Sequence, residues 1–598
     1  VTNDADIHFN RGNVLRELRQ PEQALESYDK TIELKPNLAA GHLARANVLM
    51  ELNRPNDALA SYDRALIHQP NYAQAYLGRS CALKLLGCTQ DALVSVDFAL
   101  RIRPDYSAAY LHRGNVLLKL KRLHEALSSY NRALEIKPDY AEAFSNRAIV
   151  FLGLKCALDA LASCDRALEI RPKYAEAYCN RGDALCELGH FEAALTNYGQ
   201  AIALRPDYAE AYSKRGVVLN ELDQLDASLT DFDRAISLKP DYAEAHSNRG
   251  YLLTQRLQLD AAFASYDRAL KIDDMFSAAR YNRAISLLLA GEFAKGWLEY
   301  EWRGKNDRES LADGKRIFSQ PIWLGDSSIA GKTVLLHAEQ GFGDTIQFCR
   351  YVPMIASLGA RVLLEVQRPL LKLMASLDGV AQLMASGHAL PDFDCHCPLM
   401  SLPLSFNTTL SSIPAEIPYL RSDAQKAALW EQKLGKKKNL RVGLVWRSGW
   451  HTNDRNVIRI QRNKSLPFEL FEGLLTLPGF TFFSLQKDAA GGQARGAVEA
   501  GSLIDWTREL ADFADNAAFI ANLDLLISVD TSMAHLAAAM GKPTWILLPY
   551  SADWRWLLNR SDSPWYPTVR LYRQEILGDW DIPVQKIVSD LVKLPRVI

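Results

Sequence analysis

A chain of 598 residues is too long for one hydrophobic core, so at least two domains are expected. Apolar residues make up 48% and charged residues 23%, and the formal net charge of −1 excludes the global positive field that drives binding to nucleic acid or an anionic membrane. No stretch has the continuous apolar length that spans a bilayer, the first ten residues are polar with no signal-peptide core, and six of the nine cysteines fall in helical segments, which together predict a cytoplasmic protein.

Prolines recur at Pro36, Pro70, Pro104, Pro138, Pro172, Pro206 and Pro240, always 34 residues apart. Each lies in a turn after a helix, where its missing N–H costs nothing. Between prolines the sequence predicts two helices that meet at small residues. Gly12, Ala46, Ser80, Gly114, Ala148, Gly182, Gly216, Gly250 and Ala284 lie on the first helix; Ala24, Ala58, Ala126 and Ala194 lie on the second. Small residues on both sides let the axes approach closely. The period and pattern resemble the tetratricopeptide (TPR) repeat. One such pair cannot bury its apolar face alone, so about eight to nine units are expected to stack into an all-α superhelix over residues 1–304. Its degenerate last helix, with Trp297, Tyr300 and Trp302, is expected to cap the array against the next domain.

One position of the first helix reads Asn10, Ala44, Gly78, His112, Asn146, Asn180, Lys214, Asn248 and Asn282. An asparagine amide both donates and accepts, as a peptide unit does. The row resembles the asparagine ladder of the eukaryotic O-GlcNAc transferase groove, which implies that Asn146, Asn180, Asn248 and Asn282 bind an extended acceptor protein. The plainer alternative is a solvated polar row. The next position is arginine in all nine units, and Asp29, Asp63, Asp97, Asp165, Asp233 and Asp267 on the second helix suggest an Arg–Asp pair within each repeat.

Residues 305–331 read as a linker. Thereafter short apolar runs alternate with helices. Strands are predicted at 333–337 and 360–366, with helices at 345–358 and 369–376. A second series places strands at 441–446, 481–485, 523–529 and 544–548, with helices at 467–475, 510–521 and 532–540. These are two parallel, doubly wound units: an N-terminal domain over 332–438 on the acceptor side and a C-terminal domain over 439–598 on the donor side. Two such Rossmann-like domains facing a cleft make the GT-B arrangement. Cys395-His396-Cys397 has the look of a metal half-site, but it lacks a second ligand pair at usable spacing, so zinc is not expected.

A glycine-rich loop, 337–345, contains Gly343-Asp344, and Asp530-Thr531-Ser532 with His535 lies between a predicted strand and helix. Together they resemble the heptosyltransferase family of inverting glycosyltransferases, over roughly residues 330–560. Ser532 replaces that family's glycine, and Trp446-Arg447-Ser448-Gly449 is not a close match. The whole architecture is similar to bacterial TPR-fused glycosyltransferases, including those that modify flagellin.

The resemblance implies a transfer from a nucleotide sugar to a protein hydroxyl. The base would be Asp344, with Glu339 as the alternative. Asp530, Thr531, Ser532 and His535 would hold the donor, the free N–H groups of the helix start gripping its phosphates. Lys464 would neutralise phosphate charge, while Gln486 and Lys487 would contact the nucleotide. Asp344 serves equally well as a helix N-cap. No Asp-x-Asp motif falls in a suitable loop, so neither metal nor cofactor is expected. Two other readings stay open: transfer to a lipid-linked or polysaccharide acceptor, and a TPR scaffold with an inactive second half.

Overall fold

The computed structural model describes residues 4–304, 318–449, 455–487 and 489–595. Contacts divide the chain into two units, 1–240 and 241–598. Most of the predicted linker, 305–317, lies outside the described residues.

Unit one holds seven helix pairs, from Ala5–Glu17 to Leu225–Leu238. The small positions of each first helix act as seats for an aromatic ring on the second. A Cβ built at Gly182 would lie 2.6 Å from Tyr198 Cε1, and one at Gly114 would lie 2.5 Å from Tyr130 Cε1. The rings cannot retreat, because Tyr130 Oη donates to Asn115 and Tyr198 Oη to Asp183, each at 2.7 Å. The turn inside each repeat needs a left-handed residue, which is glycine at Gly87 and Gly189 but Lys121 and Lys155 in other repeats.

The arginine row departs from its expected pairing. Arg45, Arg79, Arg113 and Arg181 each reach back to the helix before their own, to Asp29, Asp63, Asp97 and Asp165, at 2.6 to 2.7 Å. These aspartates belong to the preceding repeat, so the pairs join neighbours and do not close a single unit. The other arm reaches forward, as from Arg113 Nη1 to Ser129 Oγ at 2.8 Å. Arg215 instead pairs within its own repeat, with Asp231. A fork to two successive second helices sets the spacing between repeats. Exposure keeps each ion pair to about 1 kcal/mol or less.

Unit two opens with the eighth and ninth pairs, at Ala243–Gln255, Leu259–Ile272, Ser277–Leu289 and Phe293–Tyr300. An α/β region with two parallel sheets follows. The first sheet has strands β1 (Thr333–His337), β2 (Arg361–Val366), β3 (Val380–Ala385) and β4 (Cys395–Pro398), in the order β3-β2-β1-β4. The second has β5 (Leu440–Val445), β6 (Phe480–Ser484), β7 (Leu503–Asp505), β8 (Leu525–Val529), β9 (Thr544–Leu548) and β10 (Val569–Arg573), in the order β10-β9-β8-β5-β6-β7. In each sheet the order reverses beside the first strand, between β1 and β4 and between β5 and β8. Such a reversal opens a crevice at the strands' C-terminal ends.

One core runs through the ninth repeat and one face of each sheet, joining Phe293, Trp297 and Tyr300 to Val334, Leu336, Val362, Leu526, Ile546 and Leu548. The alternate residues pack elsewhere, Leu335 and Leu363 in one cluster and Ile527 and Leu547 in another, as strands covered on both faces require. The predicted cap therefore shares a core with the α/β region. The tripeptide Cys395-His396-Cys397 is part of strand β4, so its thiols and imidazole alternate between faces. The imidazole turns to His337, Nδ1 to Nε2 3.2 Å. Among the described residues no helix is long and apolar enough to cross a membrane.

Candidate functional site

The helices that follow the two switch-point strands β1 and β8, Phe342–Phe348 and Ser532–Ala539, pack together. A Cβ at Gly343 would come within 3.0 Å of His535 Cδ2 and 3.7 Å of Ser532 Cα, so a larger residue there would press on the His535 ring.

A chain of charges occupies this junction. Lys464 Nζ donates to Asp530 Oδ2 at 2.6 Å and lies 3.9 Å from Asp553 Oδ2. Arg555 Nη1 bonds Asp553 Oδ1 at 2.9 Å, Nη2 bonds Asp344 Oδ1, and Nε donates to Gln347 Oε1 at 2.7 Å. Three carboxylates thus face two cations. Burial raises the Asp344 carboxyl above its ordinary range, against the lowering pull of Arg555. Burial pushes Asp553 the same way, yet Arg555 and Lys464 together bring it down to about 2. Burial alone would lower Lys464, but Asp530 and Asp553 leave its ammonium more firmly charged than usual.

Asp344 is not the N-cap of its helix, which is Gly341; it stands three positions on and reaches back to that residue. It accepts from the Gly341 N–H at 2.8 Å on Oδ2, while Oδ1 takes Arg555. Glu339 is not part of this group. It pairs with Arg303 from the end of the repeats, at 2.7 Å to Nη2, and Arg303 also holds Glu301 at 2.7 Å. Asp530, Thr531, Ser532, His535 and Lys464 come together as the sequence grouped them. Thr531 heads the helix with its Oγ1 3.0 Å from Ser528 Oγ, leaving the helix's first N–H groups for an incoming acceptor. Gln486 is buried and accepts from the N–H groups of Trp446 (3.2 Å) and Arg447 (3.0 Å), so it shapes the loop after β5. Lys487 gives its ammonium to the Leu510 and Ala511 carbonyls.

In the repeats, the ladder residues spend amide protons on their neighbours. Asn146 Nδ2 donates to Asn115 Oδ1 at 2.8 Å. Asn180 is buried, and its Nδ2 donates to Ser145 Oγ at 2.9 Å. Asn248 and Asn282 are half-buried on the first helices of pairs eight and nine.

No sequence motif marks Arg555 and Asp553, which stand in a stretch, 550–556, dominated by aromatic residues. Those rings are core: Trp554, Trp556, Trp565 and Tyr566 are all buried, which closes them to stacking on a ligand. The available signal was an acid and a base two positions apart among tryptophans.

His535 lies 3.7 Å from Asp530 Oδ1 through Nε2 and 3.0 Å from Tyr566 Oη through Nδ1. Burial holds its imidazole down at about 4, against the opposing pull of Asp530. An unfolded histidine titrates near 6.5, so below that pH the unfolded chain gains a proton that the folded chain refuses. Stability should fall by about 3 kcal/mol between pH 6.5 and 4 on this account. His535→Gln should remove that slope, read as the difference between urea-denaturation curves of the two proteins across the window. Parallel curves would show that His535 carries its proton in the fold.

Family models described as TPR repeat match residues 114–155, 182–223 and 218–255. Models described as tetratricopeptide repeat match 5–38, 43–87 and 163–196. Protein FlbA of Caulobacter vibrioides is 27% identical over 331 residues, 52% of this chain and 54% of FlbA, so the chain spans about half the length of that curated relative. Among solved structures, a tetratricopeptide repeat protein from Parabacteroides merdae is 16% identical with a TM-score of 0.38, covering 42% of this chain and 98% of that one. YrrB, described as a TPR protein with an unusual peptide-binding site, is 24% identical with a TM-score of 0.26, covering 31% of this chain and 95% of its own. The chain thus carries tetratricopeptide repeats followed by an α/β region with parallel sheets.

Proposed function

We propose that this chain is a GT-B glycosyltransferase that moves a sugar from a nucleotide-activated donor to a protein hydroxyl, with inversion and without a metal. The observation that supports this reading is the packing of the two switch-point helices with the Asp344–Arg555–Asp553–Lys464–Asp530 chain at their junction. In this reading the donor diphosphate lies at the start of helix Ser532–Ala539, where N–H groups and Lys464 answer its charge. Asp344 takes the proton of the acceptor hydroxyl as its oxygen bonds to the anomeric carbon. The bond to the diphosphate breaks, and the diphosphate leaves with the electron pair. The asparagine-bearing face of the repeats holds the acceptor chain. Lys464 and the helix start replace a divalent cation, so EDTA should leave transfer unchanged.

Thermal-shift titration with UDP, GDP, ADP and CMP tests the phosphate site. One of them should stabilise the wild-type chain, and Lys464→Met should weaken that nucleotide at least tenfold, the scale on which a buried charged contact acts. No shift from any of the four would sink the reading. A binding scaffold is the second reading. It is favoured by one observation, that Lys464 and both Asp344 oxygens are already engaged inside the protein.

A further inference from the structure

The helix Arg455–Lys464 stands between β5 and β6, and the sequence patterning did not foresee it. Its C-terminal residue is Lys464, bound to Asp530. Five positions earlier, Arg459 Nη2 donates to Tyr251 Oη at 2.9 Å, on the first helix of the eighth repeat. Five residues of helix span about 7.5 Å, so one rigid element joins these two bonds. Arg459 is 6% exposed, while its neighbours Ile458 and Ile460 are 47% and 45% exposed. Of the side chains described on this helix, Arg459 alone is buried.

Repeat geometry says where Tyr251 stands. At three steps the residue three places after a ladder position meets the ladder residue of the next repeat. Asn115 meets Asn146, Asp183 meets Lys214 at 2.5 Å, and Cys81 lies 3.6 Å from His112. Tyr251 holds that place for Asn282. Arg459 therefore sits on the ladder row at its last step, where the repeats join the α/β region.

We infer that helix Arg455–Lys464 is a strap: Arg459 occupies the ladder face at Tyr251 while Lys464 closes on Asp530, so a polypeptide that fills that face releases Lys464 for a donor phosphate. This rests on the reading of the ladder face as the acceptor side. It accounts for a charged site that is satisfied without ligand. A helix whose described apolar side chains, Ile458 and Ile460, stand half in water gains little from burial there and opens at low free-energy cost.

Hydrogen–deuterium exchange on the full chain tests the strap without any sugar transfer. Tyr251→Phe removes only the acceptor oxygen, and Arg459→Gln only the charge and reach. Each should speed exchange across 455–464 about tenfold, leaving helix Ser532–Ala539 and strand β5 at wild-type rates. Wild-type exchange in both variants overturns the strap, and so does faster exchange spread over all of unit two. Inorganic pyrophosphate separates the two proposals. If it fails to shift the melting of Tyr251→Phe, in which the strap is loosened, the phosphate site is wrong, and the exchange result still decides the strap.

Discussion

Arg555→Met should destabilise the α/β region by about 3–5 kcal/mol at pH 7, the usual cost of stripping a buried charge of its partner. The methionine fills the guanidinium's volume but abandons Asp344, Asp553 and Gln347 together. Lys464 stays 3.9 Å from Asp553 and is committed to Asp530, so it cannot compensate fully. The sign of the pH dependence follows. In the wild-type fold Asp553 is lowered to about 2, so its contribution is complete above the unfolded value near 3.8 and is lost as pH falls through 2. In the variant both carboxyls are free to rise, and protonation relieves them. The deficit should therefore shrink between pH 7 and 4. Urea denaturation followed by tryptophan fluorescence is selective here, because all twelve tryptophans lie at residue 297 or later. Arg555→Lys should recover part of the loss, since an ammonium meets one carboxylate where the planar fork meets two. A deficit below about 1 kcal/mol would place Arg555 among ordinary surface pairs.

The dependence of the site on Arg555 also marks where the sequence stopped being readable. The repeats were legible because a 34-residue step copies one packing problem nine times, and the glycine seats and arginine row repeat with it. What the period could not say was which repeat each Asp serves. Each arginine after Arg11 has one second helix before it and one after it, its partners on the two lying 16 positions away in either direction as for Arg113, and the two helices look alike in sequence. The α/β region divides more sharply. The six strands the patterning predicted, β1, β2, β5, β6, β8 and β9, are the interior strands of the two sheets. The four it missed, β3, β4, β7 and β10, are the four edges. An interior strand is buried on both faces and reads as a continuous apolar run, as Leu525–Val529 does. Edge strand Val380–Ala385 leaves Ala381 and Gln382 exposed, and Leu503–Asp505 is only three residues long, so neither gives such a run. The predicted helix at 345–358 is interrupted by a 3₁₀ turn at Cys349–Tyr351, where buried Arg350 donates to the Pro414 and Trp565 carbonyls. The site followed the same rule. Asp530, Ser532 and His535 lie in one short loop-to-helix passage and could be grouped by motif. Asp344 and Arg555 are 211 positions apart, and only the fold brings them together.

That late arrival bears on what Asp344 can do. Asp344→Asn should lower transfer by about 10²- to 10⁴-fold, the range of a positioned general base, if the proposed chemistry is right. Nucleotide affinity should stay within about threefold, because Lys464 and the start of helix Ser532–Ala539 are untouched. The amide keeps the size of the carboxyl but cannot accept on both sides. Whichever of Gly341 N–H and Arg555 faces its NH₂ loses an acceptor, so the variant should also melt slightly lower. Transfer and stability are separated by pH. Burial sets the Asp344 carboxyl above the ordinary value near 3.8, so the wild-type rate should fall as pH drops through that raised value, while the residual rate of the variant lacks this limb. A base must also be free to accept, and here one oxygen is held by Arg555. Wild-type transfer by Asp344→Asn would leave Asp344 as a tie to Gly341 and Arg555. The search for a base would then pass to Glu339, which burial also raises but which Arg303 holds at the end of the repeats.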